Sequence, residues 1–278
     1  MTAYREWTAA EVAQCISVPG ADDDKYSRGV LGIVTGSDSY PGAAVLGVEA
    51  ALRTGVGMVR YLGPQRPTEL VLQRRPKSVA SEGRVQAWLL GSGMDATARG
   101  DAATHRLTDA LDEALPTVID AGALDLLDRA KGPVVITPHL RELARVLAVE
   151  PDELGADPAA AARRASDTLG VTVLLKGHRT HVAAPDGTSL VTSVAPAWTA
   201  TAGTGDALGG VLGALLATHA RELGADESLL ARLAATASVL HGLAAARASA
   251  GGPFVVLELA EALPAVIAQL LSERPAPA

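Results

Sequence analysis

The chain has 278 residues, of which 48% are hydrophobic but only 3% aromatic, and its formal net charge at pH 7 is -7. A chain of this length can bury a large core within one domain, built here from aliphatic and small side chains. The negative charge argues against a nucleic-acid backbone or an anionic membrane as the main partner, since both attract clustered Lys and Arg.

The N-terminal residues, 1–14, mix charged side chains with alanine and lack the apolar core of a secretory signal. The longest weakly polar stretch, Ala207 to Ala217, is too short to span a bilayer. The single cysteine, Cys15, excludes an internal disulfide framework. We therefore expect a cytoplasmic protein with no membrane segment.

Short apolar runs alternate with helical stretches over the first two thirds of the chain. The runs are Val30 to Val34, Met58 to Leu62, Ala87 to Leu90, Thr117 to Ile119, Val134 to Thr137 and Val171 to Leu175. An alanine-rich segment from Pro41 to Arg53 predicts the first helix of this series. Such alternation predicts an α/β fold with a mostly parallel central sheet and helices on both faces, that is, three layers.

The pattern changes after Lys176. Thr180 to Ala184 and Ser189 to Val194 flank Pro185-Asp186-Gly187 and predict a hairpin. Beyond Asp206 the apolar residues fall at helical spacing to the end of the chain, so we expect helices there.

We expect residues 1–278 to form a single domain. The stretch from Glu150 to Pro158 is interpreted as a loop and not as a domain linker. A tail at about residues 272–278 is expected to be disordered.

The sharpest chemical signal is Ala202-Gly203-Thr204-Gly205-Asp206, directly before a helix predicted to begin near Ala207. Small residues let backbone amides approach an anion, and the helix N-terminus adds free N–H groups and a favourable dipole. Asp206 is suited to accept a proton from an attacking hydroxyl, as phosphoryl transfer requires. The alternative is that Asp206 only caps the helix. Glycines 209, 210 and 213 favour the catalytic role, because they keep one side of the helix thin.

Three further segments follow predicted strands, where open α/β sheets bind ligands. The Gly/Ser loop 36–44 lacks the Gly-Lys-Ser/Thr of a P-loop and, taken alone, favours an ordinary strand-to-helix turn. The second segment is Thr137-Pro138-His139, which is followed by Glu142. The commoner interpretation of such a histidine is a structural hydrogen-bonding role. In Lys176-Gly177-His178-Arg179-Thr180, the lysine can neutralise a nucleotide phosphate or lie in a solvated turn.

The other histidines, at positions 105, 181, 219 and 241, have no spacing typical of metal ligands. We therefore expect no metal site built from protein side chains alone. A Mg²⁺ ion that bridges the phosphates of ADP or ATP needs few protein carboxylates and fits this chemistry.

Taken in order, the four segments resemble the carbohydrate-kinase-like domain of ADP-dependent (S)-NAD(P)H-hydrate dehydratases, from about Lys25 to beyond Asp206. The resemblance rests on Gly36-Ser37, Tyr40 and Gly42-Ala43-Ala44, on Thr137-Pro138-His139 with Glu142, on Lys176-Gly177 with Thr180, and on the Ala202 to Asp206 motif. Four motifs in the right order are far more specific than any one of them.

The resemblance implies a ribokinase-like fold, a homotetramer and ADP as the phosphate donor. It implies that the hydrated nicotinamide cofactor, NADH-hydrate or NADPH-hydrate, contacts Ala43, Gly93, His139 and Asp206. It also implies that the nucleotide contacts Lys176, Gly177, His178, Arg179, Thr180, Gly203, Thr204 and Gly205. The kinase-like motifs begin close to residue 1, so we expect any epimerase to be a separate protein.

The chain departs from the family pattern at three places. Ala195-Pro196-Ala197-Trp198 stands where the family usually has Asn-Pro-Gly-Met, Gly122 where it often has Asp, and Gly91-Ser92-Gly93 where it has Gly-Pro-Gly. The resemblance implies a hydro-lyase that restores NADH or NADPH, with Asp206 as base. The alternatives are an ATP-dependent kinase of a small hydroxymethyl vitamin precursor and a nucleotide-binding sensor without catalysis.

Overall fold

A computed structural model describes residues 3–274, and nine strands there form one sheet in the order β1-β9-β8-β7-β6-β5-β4-β2-β3. The strands are β1 (Arg5–Glu6), β2 (Val30–Val34), β3 (Met58–Tyr61), β4 (Ala87–Leu90), β5 (Thr117–Ile119), β6 (Val134–Ile136), β7 (Thr172–Leu175), β8 (Thr180–Ala183) and β9 (Ser189–Thr192). Every strand except β8 runs in the same direction. The mostly parallel sheet and the hairpin are therefore confirmed.

Strand β1 was not predicted; it pairs in parallel with β9 at the edge of the sheet, where Arg5 is the partner of Leu190. Both residues of β1 are charged and exposed. A strand of two exposed residues carries no hydrophobic alternation, so no pattern could have indicated it.

The helices are α1 (Ala9–Gln14), α2 (Pro41–Thr54), α3 (Gln65–Arg74), α4 (Asp101–Asp112), α5 (Leu140–Leu147), α6 (Pro151–Gly155), α7 (Pro158–Leu169), α8 (Thr204–Thr218), α9 (Leu229–Ser249) and α10 (Val256–Ser272), with 3-10 helices at Ala121–Arg129 and Ala197–Thr199. The predicted loop from Glu150 to Pro158 is wrong, because it contains α6. Pro151 in its first turn, followed by two acidic residues, is a helix-start signal that the loop interpretation overlooked.

Two predicted boundaries also need correction. Helix α8 begins at Thr204 and not near Ala207, so Asp206 lies inside its first turn. Helix α10 continues to Ser272, which is the first residue of the predicted disordered tail. The last four residues of that tail, 275–278, lie outside the described residues.

The sheet separates two hydrophobic cores, as alternating strand residues require. Leu31 and Ile33 of β2 face the core formed with helices α1, α2, α3, α8, α9 and α10. Val30 and Val34 face the core formed with α4, α5, α6, α7 and the 3-10 helix at Ala121–Arg129. The three-layer α/β/α prediction is confirmed.

The prediction that Ala207 to Ala217 is the longest weakly polar stretch is wrong, because helix α9 is a longer one. By length and composition it could cross a membrane, and it is longer than the Ala207 to Ala217 stretch singled out from the sequence. In the folded chain, 83% of its most apolar window is buried inside the protein. Core helices of soluble proteins have the same character, so the feature is weak evidence for a membrane.

Glycines bring α8 close to both α2 and the sheet. A Cβ on Gly210 would overlap the carbonyl oxygen of Gly47 in α2. A Cβ on Gly213 would lie 3.0 Å from the Leu31 side chain of β2. The predicted thin side of this helix thus packs against protein, and this packing fixes where the N-terminus of α8, with Asp206, meets the sheet.

We expect Gly210→Ala to lower the free energy of unfolding by about 1–3 kcal/mol, because the added methyl group must push α2 and α8 apart. Helix propensity alone would stabilise the variant by about 1 kcal/mol, so the sign of the change tests the packing argument. Urea unfolding measures it. Gly224→Ala is the control, since a Cβ there meets nothing within 4 Å. A Gly210→Ala variant as stable as the wild type would contradict the prediction.

Candidate active site

The site lies at the carboxyl ends of the central strands. Because β7, β6, β5, β4 and β2 are neighbours and parallel, the residues that follow them meet at one edge of the sheet. These residues are Ser92, Asp120, Thr137, Lys176 and the loop that begins at Gly36. The first turn of α8 closes over the same edge.

A buried carboxylate, Asp120, joins three of the loops. Its Oδ2 accepts a hydrogen bond from the Ser92 hydroxyl at 2.9 Å. Its Oδ1 accepts from the Thr137 hydroxyl at 2.8 Å and from Lys176 Nζ at 2.9 Å. With 3% of its surface exposed, Asp120 is satisfied by these donors and holds the ends of β4, β5, β6 and β7 in register.

Lys176 does not lie in a solvated turn. Its side chain is 22% exposed and also lies 3.9 Å from Glu142 Oε2. Burial lowers the pKa of the ammonium, but the charges of Asp120, Glu142 and Asp206 outweigh burial and raise the pKa above its ordinary value. A Cβ on Gly205 would be 3.5 Å from Lys176 Nζ, so a fixed positive charge stands beside the first turn of α8.

Asp206 is not the cap of α8, so the capping alternative is wrong. The N-cap is Gly203, which adopts a left-handed conformation with φ of 94°. The Asp206 carboxylate accepts no hydrogen bond from any residue between 3 and 274. A half-buried acid with free oxygens at a helix N-terminus can hold or release a proton for a ligand.

The environment of Asp206 raises the pKa of its carboxyl group to about 7. Burial is the largest cause, and the negative charge of Asp120 adds to it, while Lys176 opposes both. A carboxyl with this pKa changes its protonation state near neutral pH, where a general base is most effective.

His139 has the structural role that the sequence favoured. It is the N-cap of α5, where its Nδ1 accepts from the Glu142 N–H at 3.2 Å and the Glu142 carboxylate accepts from the His139 N–H at 2.8 Å. Its backbone pairs with that of Lys176, so the ring stands at the same sheet edge. About half of the side chain, 49%, is exposed, which leaves it accessible to a ligand.

A cavity of about 460 Å³ opens beside the N-terminus of α8, and we call it the α8 cavity. Its walls include Lys176, Gly177, His178, Thr180, Ala195, Pro196, Ala197, Thr199, Ala200, Thr204, Gly205, Leu208, Ser238 and His241. Six of the eight residues predicted to contact the nucleotide are among them. Arg179 is exposed, and neither it nor Gly203 lines this cavity.

A second cavity, of about 370 Å³, is lined by the predicted Gly/Ser loop from Gly36 to Tyr40 and by the segment from Met94 to Gly100. Ala43 and Gly93 lie next to it, since a Cβ on Gly93 would overlap that of Ala43 and lie 3.1 Å from the Tyr40 carbonyl oxygen. Gly93 has a φ of 67°, so a glycine is favoured there on two counts. We call this space the loop cavity.

The structure gives physical reasons for two of the three departures from the family pattern. A Cβ on Gly122 would overlap the Met94 backbone, and the Gly122 carbonyl oxygen accepts a hydrogen bond from Arg99. Trp198 does not line the α8 cavity; the residue is 49% exposed and its Nε1 donates to the Gly251 carbonyl oxygen at 3.3 Å. At the third place, Ser92 supplies one of the hydrogen bonds to Asp120.

Sequence reasoning missed Asp120, Ser92 and His241 as members of the site. Asp120 directly follows β5, and Ser92 lies two residues after the end of β4. A polar residue just after a buried strand was the available signal in the sequence. His241 carries no such signal, because it lies in the middle of α9 and only the packing of α9 beside α8 brings it to the cavity.

Among residues 3–274 no group of three or more His, Cys, Asp or Glu side chains could hold a metal ion. Asp120 already accepts hydrogen bonds from Ser92, Thr137 and Lys176. A Mg²⁺ ion bound to nucleotide phosphates and water needs few protein carboxylates.

Comparison with known proteins identifies the family. Residues 31–264 match the family described as NAD(P)H-hydrate dehydratase. The chain is 44% identical over 222 residues to the bifunctional NAD(P)H-hydrate repair enzyme Nnr of Mycobacterium tuberculosis, covering 76% of this chain and 45% of that protein. It thus spans less than half the length of this bifunctional relative.

A relative of similar length is the ADP-dependent (S)-NAD(P)H-hydrate dehydratase of Neisseria meningitidis, 36% identical over 231 residues, or 76% of each chain. The ADP/ATP-dependent NAD(P)H-hydrate dehydratase of Bacillus subtilis, crystallised with ATP and Mg²⁺, superposes with a TM-score of 0.84 at 26% identity, over 96% of this chain and 99% of that one. A ribokinase-like protein of Enterococcus faecalis, 22% identical, shares the fold with a TM-score of 0.83 over 96% of each chain. The chain therefore has a ribokinase-like fold and belongs to the NAD(P)H-hydrate dehydratase family.

Proposed function

We propose that this chain dehydrates the S-epimer of NADH-hydrate or NADPH-hydrate and restores NADH or NADPH, with ADP converted to AMP and phosphate. The observation that carries the proposal is the Asp206 carboxyl, which has free oxygens and a pKa of about 7, in the first turn of α8 beside the α8 cavity. A base in this position is what transfer of a phosphoryl group to a hydroxyl needs.

The chemistry explains why a dehydratase would use a nucleotide. Hydroxide is a poor leaving group, so direct loss of water from the hydrated ring is slow. Phosphorylation of the ring hydroxyl turns it into a phosphate ester, which departs more easily.

In the first step, Asp206 accepts the proton of the substrate 6-hydroxyl. The hydroxyl oxygen then forms a bond to the terminal phosphorus of ADP, and the bond from that phosphorus to the bridging oxygen breaks, so that AMP leaves. Lys176 and the free amides at the start of α8 stabilise the charge that develops on the phosphoryl oxygens.

In the second step, the lone pair of the ring nitrogen expels phosphate from the neighbouring carbon. Loss of a proton from the adjacent carbon then restores the ring double bond of NADH or NADPH. Mg²⁺ that arrives with the nucleotide would neutralise phosphate charge in the first step.

The two cavities suit two ligands. We assign the nucleotide to the α8 cavity, where Lys176 and Gly205 meet, and the hydrated cofactor to the loop cavity beside Ala43 and Gly93. His139 stands at the edge of the sheet near Lys176 and is assigned to the hydrated cofactor as well. ADP as donor, a cytoplasmic site of action and a homotetramer remain predictions from the resemblance.

The first prediction is that absorbance of reduced nicotinamide rises when the protein is mixed with NADH-hydrate, Mg²⁺ and ADP. Parallel reactions with ATP name the phosphate donor, and NADPH-hydrate tests the second substrate. If verified substrate gives no rise with either nucleotide, the proposal is wrong. A stable phosphorylated product from a hydroxymethyl vitamin precursor would then identify the kinase alternative, and nucleotide binding alone would identify the sensor.

The second prediction concerns the base. Asp206→Asn should abolish turnover, because an amide cannot accept the hydroxyl proton, while ADP affinity stays within about threefold of the wild type. Steady-state kinetics and calorimetry measure the two quantities. Asp22→Asn, at an exposed residue, is the matched control and should keep full activity. Full activity of Asp206→Asn would refute the assignment.

The third prediction tests the Asp206 pKa without substrate. The folded pKa of about 7 lies above the ordinary value of 3.8, so the folded state keeps a proton that the unfolded chain loses between these values. The free energy of unfolding should therefore fall as pH rises through this window. Between about pH 5 and about pH 8, the wild type should lose about 1–3 kcal/mol relative to Asp206→Asn. An unchanged difference, measured by urea unfolding, would contradict the raised pKa.

A further inference from the structure

We propose that His241 recognises the nucleoside part of the nucleotide, with its Nδ1 accepting a hydrogen bond from an N–H or O–H group of the ligand. The inference rests on the proposed nucleotide site and adds a specificity-determining residue to it. It is carried by the geometry of a buried imidazole that forms part of the wall of the α8 cavity.

One nitrogen of His241 is already used by the protein. Only 7% of the residue is exposed, and Nε2 lies 3.0 Å from the carbonyl oxygen of Thr204. A carbonyl oxygen can only accept, so Nε2 must carry the proton of this bond. In a neutral ring the other nitrogen, Nδ1, is then an acceptor.

The ring is neutral in the free protein. Burial, helped by the positive charge of Lys176, lowers the pKa of His241 to about 4. Nδ1 makes no hydrogen bond to any residue between 3 and 274. An acceptor without a protein partner, on a residue in the wall of a cavity, is a place for a ligand or a water molecule to donate.

The chemistry of a nucleotide limits which of its groups can be that donor. Ionised phosphate oxygens are acceptors and cannot pair with Nδ1. The donors of ADP are the exocyclic amine of adenine and the hydroxyls of ribose. The rest of the wall fits such a group, since Ala195, Pro196, Ala197, Ala200 and Leu208 offer small or apolar contacts.

The neighbouring polar side chain in this wall is already paired. Ser238 Oγ lies 2.7 Å from the Thr192 hydroxyl. Lys176 and Gly205, which also line the cavity, carry the features that attract phosphate. The α8 cavity would therefore recognise phosphate by the charge of Lys176 and the nucleoside by a hydrogen bond to His241.

Two variants separate the two nitrogens of His241. In His241→Gln, the amide nitrogen can reach the position of Nε2 and keep the bond to Thr204, but no acceptor remains at the position of Nδ1. In His241→Asn, the amide oxygen can take the position of Nδ1, whereas the bond to Thr204 is lost. Circular dichroism establishes that each variant is folded.

Calorimetry with ADP, inosine diphosphate, 2′-deoxy-ADP and 3′-deoxy-ADP tests the proposal, since each analogue lacks one donor of ADP. We expect the wild type to bind one analogue about 3- to 10-fold more weakly than ADP, the effect of one hydrogen bond. The analogue that loses affinity identifies the amine or the hydroxyl as the donor. This discrimination should disappear in His241→Gln and persist in His241→Asn.

Equal affinity of the wild type for all four nucleotides would overturn the proposal, and this result does not depend on whether a variant folds. Unchanged discrimination in His241→Gln would also overturn it. In both cases ADP still binds and the proposed function stands. If the wild type binds no ADP, the proposed function fails together with this inference.

Discussion

The buried Asp120 carboxylate is the interaction on which the rest of the site depends. It projects from the end of β5, at the centre of the sheet, and accepts hydrogen bonds from residues after β4, β6 and β7. A buried charge without partners is costly, so the loops that supply Ser92, Thr137 and Lys176 are fixed together. Lys176 is thereby held as a cation beside α8 before any nucleotide arrives, which is electrostatic preorganisation.

The same carboxylate acts on Asp206 in the opposite sense. Burial and the charge of Asp120 raise the pKa of Asp206, while the charge of Lys176 lowers it. The balance places the pKa near neutrality. Because its pKa is raised, Asp206 destabilises the folded state when it ionises at high pH. A structural aspartate with an ordinary pKa would not have this cost in stability.

The sequence was sufficient for the parts of the fold that carry a periodic pattern. The six strands before the hairpin and the two strands of the hairpin were predicted within a residue or two, and four motifs indicated the edge of the sheet where the candidate site lies. It was insufficient where geometry depends on tertiary contacts. The two exposed residues of β1 have no period, α6 is a single turn or so, and Asp206 was placed before its helix and not within it. His241 becomes part of the site only because α9 packs beside α8.

Thr204 explains how the site tolerates its departure from the family pattern at Ala195 to Trp198. The Thr204 hydroxyl donates to the carbonyl oxygens of Thr199 and Thr201, at 3.0 and 2.9 Å. Its own carbonyl oxygen accepts from His241. The wall of the α8 cavity is thus fixed by backbone carbonyls, which do not depend on the identity of the side chains at 195–198. Substitutions in that segment can change the lining of the α8 cavity while the first turn of α8, and Asp206 with it, keeps its position.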